Sequence, residues 1–139
     1  MGLRIQKFER QIKSEYINCD PSQKKSLAMT GLLYDYLWID KMVITGDTTI
    51  DPLLNPSNRW IYDAQHVLTE ITMLDDSLPI DEVVKRGHIH VSQLAAIQEK
   101  FKGQIVGYHF SARYKKTEIE QLIAQYFDAD QIILAHALH

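Results

Sequence analysis

Five side chains of this sequence have the chemistry of a hydrolytic or metal-assisted site. Asp47 stands in the run Gly46-Asp47-Thr48-Thr49, and Glu70 closes the apolar run that begins at Val67. His88 and His90 follow Gly87 two residues apart, and His109 lies between Tyr108 and Phe110. Carboxylates and imidazoles are the donors of a borderline metal ion, and they are also the usual acids and bases of hydrolysis. Each residue also has a plainer reading. A Gly-Asp-Thr run makes an Asx turn, the two close histidines fit a polar surface turn, and His109 fits a hydrogen-bonded core histidine. Glu70, beside a buried strand, needs a partner such as His or Arg.

Convergence of these residues depends on the elements that carry them. Met42-Val43-Ile44-Thr45, Val67 to Thr72, Gln104 to Tyr108 and Gln131 to Leu134 are short, β-rich apolar runs, which predicts buried strands. Leu32 to Trp38 fits a strand or a helix end. Asp20-Pro21 predicts an N-cap and first helical residue, with a helix over 21–29 stopped by Gly31. Ser92 is expected to cap a helix bearing Leu94, Ala95, Ile97 and Phe101, closed by Gly103. Thr117 with Glu120 predicts a capping box on a helix whose apolar side is Ile119, Leu122, Ile123, Tyr126 and Phe127. The zone 46–58, with Pro52 and Pro56, reads as loop. Strands alternating with amphipathic helices imply an α/β sheet with helix cover. In such sheets ligands bind beyond the carboxyl ends of the strands, and that is where Asp47, Glu70 and His109 fall.

At 139 residues the chain is expected to form a single domain, 1–139, large enough for a real core. With 45% hydrophobic and 24% charged residues, it is not a disordered, collagenous or disulfide-scaffold chain. A net charge of −3 argues against a generally basic nucleic-acid coat. The lone cysteine, Cys19, allows no internal disulfide and points to a reducing compartment. No apolar run reaches the ~18 residues of a membrane span, and residues 1–7 do not read as a secretory signal. The expectation is a cytoplasmic protein with no membrane association.

In order, Gly46-Asp47-Thr48-Thr49, Leu68-Thr69-Glu70-Ile71-Thr72-Met73-Leu74-Asp75, Gly87-His88-Ile89-His90-Val91 and His109-Phe110-Ser111-Ala112-Arg113-Tyr114 resemble the later motifs of the metallo-β-lactamase-fold hydrolases of the ribonuclease Z type. The opening stretch, with Glu9-Arg10 and Lys13-Ser14-Glu15-Tyr16, is similar to the segment that precedes the first of these. The resemblance implies that Asp47 bridges two zinc ions and that His109 is a terminal zinc ligand. It implies that His88 meets the scissile phosphate and assists the leaving group, with Glu70 as its orienting partner and His90 as a second candidate for the same role. Arg113 and Ser111 would bind the phosphate of a phosphodiester or RNA substrate.

The family's His-x-His-x-Asp-His motif and a further histidine lie upstream of its Gly-Asp-Thr. No histidine precedes Asp47 here. The resemblance therefore implies the C-terminal half of an αββα sandwich: one mixed sheet, with helices on one face and the other face uncovered. Asp47 and His109 are too few for a tight zinc site. The chain is then expected to pair with a second copy or a separate N-terminal half, and to be inactive without it. The alternative is a non-catalytic truncated scaffold of the same fold. A third reading takes Ile80 to Phe101 as a helix-turn-helix, with Lys85, Arg86, Lys100 and Lys102 as its basic residues.

Overall fold

The computed structural model describes residues 2–135. Its architecture is α/β, with a single five-stranded mixed sheet in the order β1-β2-β3-β4-β5. The strands are β1 (Leu3–Ile12), β2 (Tyr34–Ile44), β3 (His66–Glu70), β4 (Gln104–Tyr108) and β5 (Ile132–Leu134). The helices are α1 (Pro21–Met29), α2 (Asp51–Leu54), α3 (Ile80–Lys85), α4 (Val91–Ala95) and α5 (Lys116–Ile123), with 3-10 turns at Ser14–Tyr16, Pro56–Asp63 and Gln98–Lys100. The described residues fall into two compact units, 6–39 and the remainder.

Unit 6–39 contains most of β1, helix α1 and the first half of β2. Phe8 stacks on Tyr36 at 5.7 Å and meets Trp38 at 5.0 Å, while Arg10 lies over Tyr34. Rising numbers on one strand meet falling numbers on the other, so these two strands run antiparallel. Helix α1 has the bounds expected from its cap. Asp20 accepts from the Ser22 and Gln23 amides, and Gln23 reaches back to the Asp20 amide. Of Leu32 to Trp38, the first two residues lead into β2 and the other five are its start, so the strand reading holds and the helix end does not form.

The larger unit holds the parallel part of the sheet. Ile44 pairs with Leu68, Leu68 with Val106, and Val106 with Ile133. Strand side chains alternate between faces, so the neighbouring row of Val43, Val67, Ile105 and Ile132 points the other way. That second row is buried in one core with Leu53, Leu94, Ile119 and Ile123 from α2, α4 and α5. Fully burying each such side chain contributes about 1.5–3 kcal/mol, which makes this face the main source of cohesion.

Two expected caps are corrected. Helix α4 starts at Val91 and is capped by His90, not Ser92: the Ser92 amide donates to His90 Nδ1, and Gln93 Oε1 accepts from the His90 amide. It ends at Ala95, and a 3-10 turn carries the chain on to Phe101. Helix α5 starts at Lys116, because Glu118 Oε2 accepts from the Lys115 amide at 2.6 Å; Thr117 lies inside the helix. The 46–58 loop carries α2 and the start of a long 3-10 turn. A helix-turn-helix does not form at 80–101. Met73 pairs with His90 as a parallel bridge, and Ile89 and His90 are buried against it. No described helix is long and apolar enough to cross a membrane.

Candidate active site

The carboxyl ends of β2, β3 and β4 lie side by side, and each delivers one chemistry-bearing residue. Beyond β2, the Thr45 amide donates to Leu68 O at 3.0 Å, the last bond holding the strand in register. Gly46 then takes φ +72°, a left-handed turn that costs glycine nothing, and Asp47 follows it at the surface. β3 ends on Glu70, which has 0% exposure. β4 ends on Tyr108. The next residue, His109, is the one described non-glycine residue with positive φ, at +58°. A left-handed residue with a β-carbon costs roughly 1–2 kcal/mol, and such strain is characteristic of functional loops. Here it accompanies an imidazole that is 44% exposed.

His88 arrives from a different element. Helix α3 ends at Lys85, Gly87 turns with φ +81°, and the chain returns along Met73. His88 Nδ1 then lies 3.2 Å from Glu70 Oε1, and its ring centroid is 5.5 Å from that of His109. His109 Nδ1 lies 3.3 Å from Asp47 Oδ1. Asp47, Glu70, His88 and His109, spread over 63 positions of sequence, thus share one rim.

Glu70 is the hub of this rim. Its Oε1 accepts from the amides of Thr48 (3.3 Å) and Ile89 (3.1 Å) as well as facing His88, and its Oε2 accepts from the amide (3.0 Å) and hydroxyl (2.6 Å) of Thr72. One buried carboxylate therefore joins the loops after β2 and β3 to the turn that carries His88. Donor atoms of Glu70, His88 and His109 lie within 4.8 Å of one another, a spacing that a metal ion could bridge. Both Glu70 oxygens are already saturated with donors, so Glu70 acts as a holder. Asp47, with 59% side-chain exposure, and His109 are the open donors.

The other sequence candidates lie around this centre. His90 is 1% exposed and both its nitrogens are used, Nδ1 by Ser92 and Nε2 by the Asp75 carbonyl at 3.1 Å. It caps a helix and has no nitrogen to offer a substrate. The Ser111 amide donates to Thr72 O at 3.0 Å and closes the loop after His109. Arg113 is exposed and its guanidinium donates to Ser77 Oγ; Ser77 in turn donates to Asp75. That Ser77 bond holds the Asp75 carboxyl below the usual carboxylate range. The Tyr114 hydroxyl accepts from the Leu74 amide at 3.2 Å and ties this loop to the chain after β3. Burial pushes the Tyr108 and Tyr114 phenols up from their ordinary value. His136 and His139 lie outside the described residues. Thr72 is the rim residue that residue typing passed over: only its place two positions after Glu70 marks it.

Comparison with known proteins gives the same direction. The chain is 33% identical over 125 residues to the tRNase Z TRZ1 of Arabidopsis thaliana, covering 88% of this chain. It is 27% identical over 124 residues, again 88% of the chain, to the chloroplastic tRNase Z TRZ2 of the same plant. Over most of its length the chain is thus similar to tRNase Z proteins. It spans 45% of the length of the first relative and 35% of the second, so under half of either. No family model matches it. The ribonuclease Z-like motifs are the segments that build the rim: Gly46-Asp47-Thr48 after β2, Glu70-Ile71-Thr72 after β3, Gly87-His88 before α4, and His109 to Tyr114 after β4.

Proposed function

We propose that residues 1–139 form one domain that supplies the later half of a two-zinc, ribonuclease Z-like phosphodiesterase acting on RNA. The observation that carries this reading is the gathering of Asp47, His88 and His109 around the buried Glu70, at the ends of three adjacent parallel strands. In this reading Asp47 and His109 hold zinc. Their carboxylate and imidazole chemistry suits that ion, but two donors fall short of the three or more that each hydrolytic ion needs. Zinc, when bound, supplies charge neutralisation at the phosphoryl oxygens and activation of water. His88 donates a proton to the departing oxygen, and Glu70 keeps its imidazole aimed. Arg113 and Ser111 bind the phosphate, the guanidinium leaving Ser77 to do so.

The missing donors come from beyond this copy of residues 1–139: chain that precedes them, a separate N-terminal half or a second copy. Its seat is the uncovered face of the sheet. There Ile44, Leu68, Val106 and Ile133 form an apolar row across four strands, half-buried to exposed. The free Cys19 supports a reducing, cytoplasmic setting. The shortfall of donors favours one second reading, a scaffold that assembles without catalysing.

Zinc content and turnover of the assembled protein on a generic phosphodiester separate the two. Under the first reading, Asp47→Ala lowers zinc content and abolishes turnover. His88→Ala keeps zinc content and slows turnover by about 10²–10⁴-fold. Loss of zinc in His88→Ala would make His88 a ligand and overturn its assigned role. An assembly with neither metal nor activity would leave the scaffold.

A further inference from the structure

The Thr72 hydroxyl lies among more partners than it has protons. Its oxygen is 2.6 Å from Glu70 Oε2, 3.2 Å from His88 Nδ1, 3.3 Å from His109 Nδ1 and 3.2 Å from the His109 carbonyl. A hydroxyl has one hydrogen and two lone pairs. The contact to the carboxylate is the shortest and is charge-assisted, so it takes the hydrogen. What Oγ1 then turns towards the two histidines is acceptor only.

The rest of each histidine's surroundings agrees. His88 Nδ1 faces this oxygen and Glu70 Oε1, and His109 Nδ1 faces this oxygen and Asp47 Oδ1. An imidazole nitrogen among acceptors carries its hydrogen there. His90 is the opposite case on the same rim. Its Nδ1 accepts the Ser92 amide at 3.2 Å, which leaves the hydrogen on Nε2 for the Asp75 carbonyl.

We propose that Thr72 is a shared positioning residue: its hydroxyl, oriented by Glu70, accepts from Nδ1 of both His88 and His109 and so holds both rings as Nδ1–H tautomers with Nε2 free. The consequence for the site rests on the proposed function. One free Nε2 is the donor available to zinc at His109, and the other is the atom available to a leaving oxygen at His88. A single hydroxyl would then set the direction of two imidazoles with different tasks.

The test reads ring protons in the full chain labelled with ¹⁵N-histidine, using long-range ¹⁵N–¹H spectra at about pH 8, above the ordinary imidazole pKa of roughly 6.5. The wild type is expected to show Nδ1–H patterns for His88 and His109 and the Nε2–H pattern for His90. Thr72→Val removes the oxygen at nearly constant shape. His88 and His109 each keep one carboxylate oxygen at 3.2–3.3 Å, so an Nε2–H signal should appear beside Nδ1–H at both while His90 keeps its own, and Thr72→Ser should restore the single pattern. A wild-type Nε2–H pattern at either His88 or His109 would overturn the proposal without any variant. Retention of the pattern at either histidine in Thr72→Val, or failure of Thr72→Ser to restore it, would do the same. Because the readout is tautomer and not turnover, a chain with the expected spectra that never gains zinc or activity would refute the proposed function alone.

Discussion

Replacing Glu70 by glutamine changes one atom and tests whether the rim is held by a carboxylate. Oε1 faces three donors and Oε2 faces two. A glutamine must put its NH₂ group in one of those places. The cheaper choice is the Oε2 side, where the Thr72 hydroxyl can rotate to accept, but the Thr72 amide, 3.0 Å away, then faces another donor. One orphaned buried donor costs about 1–3 kcal/mol. The bonds that remain change from charge-assisted to neutral, which halves contributions of roughly 1.5–3 kcal/mol apiece. With Glu70 fully buried, water cannot repair the loss. The three bonds that remain at Oε1 and the orphaned donor together give a destabilisation of about 3–7 kcal/mol, a large fraction of the 5–15 kcal/mol typical of a domain. At a slope of about 2 kcal/mol per molar urea, the unfolding midpoint should fall by about 1.5–3.5 M. Urea titration followed by tryptophan fluorescence and by circular dichroism measures it, with the exposed Glu99→Gln as a control expected within about 0.5 kcal/mol of wild type. A loss under about 1 kcal/mol in Glu70→Gln would refute the claim that this carboxylate ties the three loops together.

Two further outcomes follow from the same structure. Burial raises the phenol pKa of Tyr62, Tyr108 and Tyr114; a raised folded value means stability is complete below the unfolded tyrosine pKa of about 10 and is lost as pH climbs through the folded values. Urea midpoints at about pH 9 and pH 11, read beside tyrosinate absorbance, should therefore fall together with phenol ionisation, and a flat midpoint across that range would contradict it. Leu68→Lys, in the centre of the uncovered row, should leave the chain's own stability within about 1 kcal/mol of wild type while abolishing association in sedimentation velocity. A wild-type chain that sediments as a monomer alone and with an N-terminal half would remove that face as a docking surface.

Much of this organisation is legible in the residues, and the exceptions share a cause. Helix α1 and strand β4 have their expected bounds because local chemistry sets them: an Asp-Pro cap in one case, an apolar run ending in a turn in the other. The starts of α4 and α5 shift because a capping acceptor need not be the nearest Ser or Thr. His90 and Glu118 offer better-placed acceptors, which only the folded backbone reveals. β1 escapes the apolar-run criterion because Leu3–Ile12 interleaves charged with apolar residues and buries none of them, as befits an edge strand. The rim divides in the same way. Asp47, Glu70 and His109 can be placed together from sequence, since adjacent parallel strands must bring their carboxyl ends to one edge. Thr72 cannot, because its importance lies in being within reach of a carboxylate and two imidazoles that are 16 and 37 positions away. Residue type identifies the groups able to do chemistry, but the small polar groups that aim them are found only by asking where each buried hydrogen goes.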